Sequence, residues 1–196
     1  METKTYTIYN YSELSDKAKE KAIEWAQNCL REDNYYFEDV QDNWREKLEK
    51  FGFSEVKISF TGFWSQGDGA SFTGSCDMVK FIRSTKQAGH YSKLLRQVKK
   101  GNLEMRGESH RFTHYYRHEN TVRGEIEFLY RDDTNLNLIN LENELRDCLT
   151  EFIRKESKKI YRELESAYES NTSRESAIEL IHANEYTFLE NGKRSD

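Results

Sequence analysis

Three histidines recur at intervals of four, His110, His114 and His118. On a helix that spacing could bring imidazoles to one metal ion. The surrounding string RFTHYYRH alternates, however, and so favours a strand. Residues four apart on a strand lie roughly 13 Å apart, too far to share a ligand, so no metal or other cofactor is expected. If this strand pairs with 122–130 across a four-residue turn, His118 faces Arg123, Tyr116 faces Glu125 and His114 faces Glu127. His114 with Glu127 would be an acid–base pair. That face, with His114, Tyr116 and His118, could instead receive phosphates or bases, with Arg111 and Arg117 of the same segment as further candidate contacts. Nucleophile arrangements are unconvincing: Ser65 is not in a G-x-S-x-G elbow, and no cysteine has a histidine nearby in sequence. A non-enzymatic protein is therefore expected, with a His/Glu-dependent enzyme as the second alternative.

Residues 62–72, GFWSQGDGASF, are the most unusual local sequence. A three-residue closure over Gly67-Asp68-Gly69 would pair Gln66 with Ala70, Trp64 with Phe72, Phe60 with Cys76 and Ile58 with Met78, with Gly69 in the left-handed position such loops need. That explains the glycines structurally. Backbone N–H groups, with Ser65, Gln66 and Asp68 beside Trp64, could also form a small concavity for an anion or a base. It is neither a Walker loop, lacking the Lys-Ser/Thr, nor a Rossmann turn, because a strand follows.

Charge is unevenly spread. The net charge of -5 averages over a segment, residues 80–123, that holds 11 basic and 3 acidic side chains. Within it Lys93, Arg96, Lys99 and Lys100 line a short helix, so an anionic partner such as nucleic acid or a nucleotide could dock there. The competing reading pairs these cations with the acidic long helix of the same molecule. Tyrosines are abundant, and the clusters at Tyr35-Tyr36 and Tyr115-Tyr116 suit macromolecular contacts.

Three segments, YSELSDKAKEKA at 11–22, GFWSQGDGASF at 62–72 and EYTFLENGK at 185–193, resemble a family of small proteins common in tailed phages and prophages. The resemblance touches both ends and the first hairpin and leaves the basic middle unmatched. It implies a phage accessory context and little chemistry. Such accessory proteins often inhibit bacterial defence, so the expected partner is a host protein or ribonucleoprotein complex.

The elements that must position these residues follow from periodicity. After a β-prone TYTIY, Ser12 or Ser15 caps a helix with Leu14, Ala18, Ala22, Trp25 and Ala26 on one stripe. A second helix carries Phe37, Val40, Trp44 and Leu48 and stops at Gly52. Period-two segments fall at 55–63, 70–79, 110–118 and 122–130, the third belonging to a run near 103–118 with a break at Gly107. A short helix is expected over 88–100. A long helix runs from Leu138 to Tyr168, roughly 45 Å, followed by a short one at 174–183 and an extended tail. Residues 154–170 keep only a thin apolar stripe, which suits a homo-oligomeric helix pair.

The expectation is one α+β domain over 1–196: a helical hairpin (1–52), a sheet with a short basic helix (53–130), and a long helix with tail (134–196). The sheet is four-stranded and mostly antiparallel, with helices on one face. With 196 residues the chain can bury a core without staples. Its three cysteines lack paired spacing and read as reduced thiols. No apolar run is long enough to span a bilayer and the start is unlike a signal peptide, so a cytoplasmic protein without membrane contact is expected.

Overall fold

The computed structural model describes residues 6–33, 35–113, 115–131 and 138–195. In chain order the elements are β1 (Tyr9–Asn10), α1 (Asp16–Glu32), α2 (Tyr35–Lys50), β2 (Phe53–Phe60), β3 (Ala70–Asp77), α3 (Met78–Ser84), α4 (Ser92–Lys100), β4 (Leu103–Arg111), β5 (Val122–Tyr130), α5 (Ile139–Asn171), α6 (Arg174–Ala183) and β6 (Thr187–Phe188). Among the described residues no helix is long and apolar enough to cross a membrane. The chain divides into two compact units, Met1–Asp39 with Glu165–Asp196, and Val40–Leu164.

The first unit joins the two ends of the chain. Ser15 caps α1, its hydroxyl accepting from the Ala18 N–H. The alanine stripe Ala18, Ala22 and Ala26 keeps one face of α1 narrow, and Ala177, Ile181 and Phe188 are buried with it. The strands β1 and β6 pair, Tyr9 opposite Phe188. A side chain at Gly192 would lie 2.2 Å from the Ala18 carbonyl oxygen, so the two terminal motifs, 11–22 and 185–193, touch directly. Trp25 stands edge-on to Tyr186 at 5.1 Å, and the Arg194 guanidinium covers both rings.

The second unit is an antiparallel sheet in the order β2-β3-β4-β5. Alternation is clean: Leu103, Gly107 and Ser109 of β4, and Val122, Gly124 and Ile126 of β5, are buried, while Glu104, Arg106, Glu108, Arg123 and Glu127 are exposed. Helices cover the buried face, where Phe53 stacks on Phe152 at 5.9 Å and Phe81 meets Phe152 edge-on at 5.2 Å. The edge strand β5 is sealed by α5. Arg146 Nη2 donates to the Ile126 carbonyl (3.4 Å), Thr150 Oγ1 accepts from Gly124 N–H (3.0 Å), and Arg154 Nε donates to the Val122 carbonyl (3.2 Å). Four helix residues rise about 6 Å and two strand residues about 6.8 Å, which is why every fourth side chain meets every second strand residue. Over Val122–Ile126 these bonds occupy backbone groups that an added strand would need.

Several expectations are corrected. The strand expected to continue through Met78 ends at Asp77, whose carboxylate accepts from the N–H groups of Val79 and Lys80 and caps α3. The third strand is Leu103–Arg111, unbroken at Gly107, so 112–118 lies beyond it. The short basic helix begins at Ser92. Along α5, Ile160 and Leu164 are fully buried, and Glu163 accepts from Trp44 Nε1 at 2.8 Å.

Candidate functional site

Strand pairing between β2 and β3 ends at Phe60 opposite Ala70, and Thr61 N–H donates to the Gly69 carbonyl at 3.0 Å. The connection is therefore the loop 61–69 and not a three-residue turn. Ala70 faces Phe60 where Gln66 was expected, a slip of six residues, and Cys76 faces Phe53 across a bulge between Ser54 and Lys57. Inside the loop Asp68 Oδ2 accepts from Ser65 N–H (2.8 Å) while Asp68 N–H donates to the Ser65 carbonyl (3.1 Å), a local clasp that shapes the tip. The positive φ values fall on Trp64 (73°) and Gly67 (93°), not on Gly69. A bulky residue at positive φ is strained. Trp64 is 66% exposed and does not face Phe72, whose partner is Ile58.

The second hairpin slips in the same way. Arg123 faces His110, eight residues before the expected His118, and Glu127 faces Arg106. The His114–Glu127 pairing is thus replaced, and His114 itself lies outside the described residues. What was expected as strand is the loop 112–121, closed by Phe112 N–H donating to the Thr121 carbonyl at 3.1 Å. His118 caps a 3-10 turn at Glu119–Thr121: its Nδ1 accepts from Asn120 N–H (3.2 Å), and its carbonyl accepts from Thr121 N–H (3.0 Å) and the Thr121 hydroxyl (2.7 Å). Glu119 pairs with Lys158 at 3.3 Å.

The two loops interlock. A Cβ on Gly69 would lie 2.4 Å from His118 Cβ and 2.5 Å from its Cα, and one on Gly67 would lie 3.0 Å from the Tyr116 ring. A groove of about 590 Å³ runs between them, with Gln66 and Asp68 on one side and Tyr116, His118 and Asn120 on the other. The two loops carry four exposed aromatics, Trp64, Phe112 (54%), Tyr115 (89%) and Tyr116 (54%), of which Tyr116 lines the groove. At the base, Arg111 ends β4 with Nη2 donating to the buried Ser71 hydroxyl at 3.3 Å, and its buried Nε has no hydrogen-bond partner among the described residues. Burial, and secondarily the charge of Arg117, hold its pKa below the ordinary guanidinium value.

The sequence-derived candidates thus separate. Trp64, Gln66, Asp68, Arg111, Tyr116, Arg117 and His118 collect at the loop end of the sheet. Lys93, Arg96, Lys99 and Lys100 lie on α4, just before Leu103, at the other end of β4. Eight strand steps, about 27 Å, part the two ends of that strand. Tyr115, one of the tyrosines noted in the sequence, belongs to the loop group with Phe112, which was not singled out because the alternating pattern assigned it to a strand face. Also missed were Lys80, Arg83 and Lys86, whose signal is the absence of any Asp or Glu from Met78 through Leu103. On the open sheet face charges are paired in place, Arg106 with Glu104 (2.8 Å) and Arg123 with Glu125 (2.5 Å).

No curated protein and no solved structure matches the chain. A family model described as a domain of unknown function (DUF8835) matches residues 36–174, a span that contains both loops and the basic helix and leaves the terminal motifs at 11–22 and 185–193 outside it. With most of its length matched, the chain belongs to the DUF8835 family.

Proposed function

We propose that the protein is a non-enzymatic binding protein that seizes a host protein or ribonucleoprotein complex with the paired loops 61–69 and 112–121. The observation that supports this is the set of four exposed aromatics on two interlocked loops. Interface hot spots are rich in Trp, Tyr and Arg, and loops held rigid before binding lose little entropy on docking. The strain at Trp64 is consistent with a residue kept in place for recognition. The resemblance of 62–72 to phage accessory proteins supports inhibition of a host defence complex as the outcome of that contact.

The test is capture followed by measurement. A protein retained from bacterial host lysate is purified, and its affinity for wild type, Trp64→Ala and Tyr115→Ala is measured by calorimetry. Trp64→Ala should weaken binding by about 30-fold or more, the loss of a hot-spot aromatic, with the melting temperature nearly unchanged. Equal affinities for all three proteins would refute the assignment of the loops as the contact.

A further inference from the structure

We infer that the outer surface of α3 and α4 docks the phosphate backbone of a nucleic-acid duplex, at a place separate from the aromatic loops. The two helices bury apolar side chains and expose their cations. Met78, Phe81, Ile82 and Leu94 are fully buried, and Tyr91 nearly so. The opposite side carries Lys80 and Arg83 on α3 and Lys86 in the connection, all exposed. On α4, Lys93, Arg96 and Lys100 follow the i, i+3, i+7 spacing of one helix stripe, with Lys99 beside them, and all four are exposed.

These cations find no counter-charge among the described residues: none lies within ion-pair distance of a carboxylate there. The acidic side chains of α5 that do pair choose others: Glu144 takes His90, Glu156 takes Lys159 and Glu163 takes Lys47. Intramolecular pairing with the long helix, the competing reading of the sequence, is therefore not what occupies them. A basic surface kept free on a protein of net charge -5 is a concentrated field, and a polyanion is its complement.

The choice of duplex rests on what the surface lacks. Binding of unpaired bases uses aromatic platforms, and both aromatics between Met78 and Leu103, Phe81 and Tyr91, are buried in the core. Lys and Arg without stacking partners suit backbone contacts that carry no sequence information. Along the roughly 13 Å of α4, a duplex presents about 8 negative charges, ample for the cations available.

The experiment is fluorescence anisotropy with a labelled duplex DNA of about 20 base pairs, from about 20 to about 200 mM salt. Wild type should bind with affinity falling steeply, at a log–log slope of about -4 if four to five cations meet phosphates. Changing Lys93, Arg96, Lys99 and Lys100 together to Gln should weaken binding at least tenfold and flatten the slope. Lys80→Gln with Arg83→Gln, an independent variant on the other helix, should give a smaller loss in the same direction. Tyr115→Ala should bind duplex like wild type. Absence of binding at the lowest salt, a salt-insensitive affinity, wild-type binding by both Gln variants, or tighter binding of the single strand that Tyr115→Ala abolishes would each overturn the proposal.

Discussion

Gly69→Ala tests whether the two loops are one device. The added methyl would stand 2.4 Å from His118 Cβ and 2.5 Å from its Cα, against a favourable carbon separation of about 3.5–4.0 Å. Neither atom can move freely, because the His118 carbonyl accepts from Thr121 N–H and hydroxyl while its ring accepts from Asn120 N–H. Gly69 is held as well, by Thr61 N–H on its carbonyl. The loops must part by about 1 Å or more, and forced overpacking of this kind costs about 1–3 kcal/mol. Sacrificing one of the anchoring hydrogen bonds to relieve it would cost about 1 kcal/mol, so a loss of about 2–3 kcal/mol is expected. Urea unfolding followed by circular dichroism measures it, with the slope unchanged. Gly89→Ala is the control, since nothing lies within 4 Å of a Cβ there, and it should be neutral or slightly stabilising. A Gly69→Ala protein within about 0.5 kcal/mol of wild type would mean that the loops do not interlock, and the preorganisation argued for binding would go with it.

Two further outcomes concern the scaffold. Thr150→Val removes the acceptor for Gly124 N–H at the covered edge of β5; the stranded donor should cost about 1–3 kcal/mol, read from the urea midpoint, and an unchanged midpoint would show that the edge is not sealed this way. Burial pushes the Cys76 thiol from 9.0 up to about 12. The folded state therefore holds its proton where the unfolded chain releases it, so this contribution to stability is complete below about pH 9 and declines towards pH 12, by at most about 1.4 kcal/mol per pH unit. Tyr91 and Tyr130, also raised by burial, act in the same direction. Cys76→Ala should accordingly show a shallower decline in unfolding free energy across the alkaline range than wild type, and identical slopes would refute the burial argument.

The helical stripes were legible because their evidence is local: Ser15 and Ser173 cap the helices they precede, and Gly52 and Gly101 take the positive φ that stops the helices before them. Strand faces were legible too, since Phe72 and Cys76, or Val122 and Ile126, alternate with polar neighbours and are buried. Register was not. Both hairpins close an even number of residues from the closures expected, six in one and eight in the other, and only the bulge in β2 makes the first slip seven where Phe53 meets Cys76. An even slip returns every side chain to the same face, so alternation is equally satisfied before and after it; only an odd slip would have exposed the core. What decided between the alternatives was packing between loops distant in sequence, the seat of Gly69 against His118 and of Gly67 against Tyr116, together with the Asp77 cap that ends β3 before Met78. The loop contacts have no signature within a window of ten residues, whereas the Asp77 cap is local and competed there with the alternation that runs on through Met78.

The slip is also what separates the two surfaces. Strand assignment through 118 would have put Tyr116 and His118 on the sheet face, within reach of Glu125 and Arg123. The shorter strand instead lifts them into a loop at the Arg111 end, while α4 delivers its cations to the Leu103 end. Aromatic groups with a half-buried arginine thus occupy one end of β4, and exposed point charges without exposed aromatics occupy the other. Hot-spot contacts depend on buried area and are little affected by salt, whereas phosphate contacts weaken with every increment of ionic strength. Binding carried by the loops should therefore survive salt that strips the basic helices, and the salt dependence of a captured complex would identify which end of the sheet holds it.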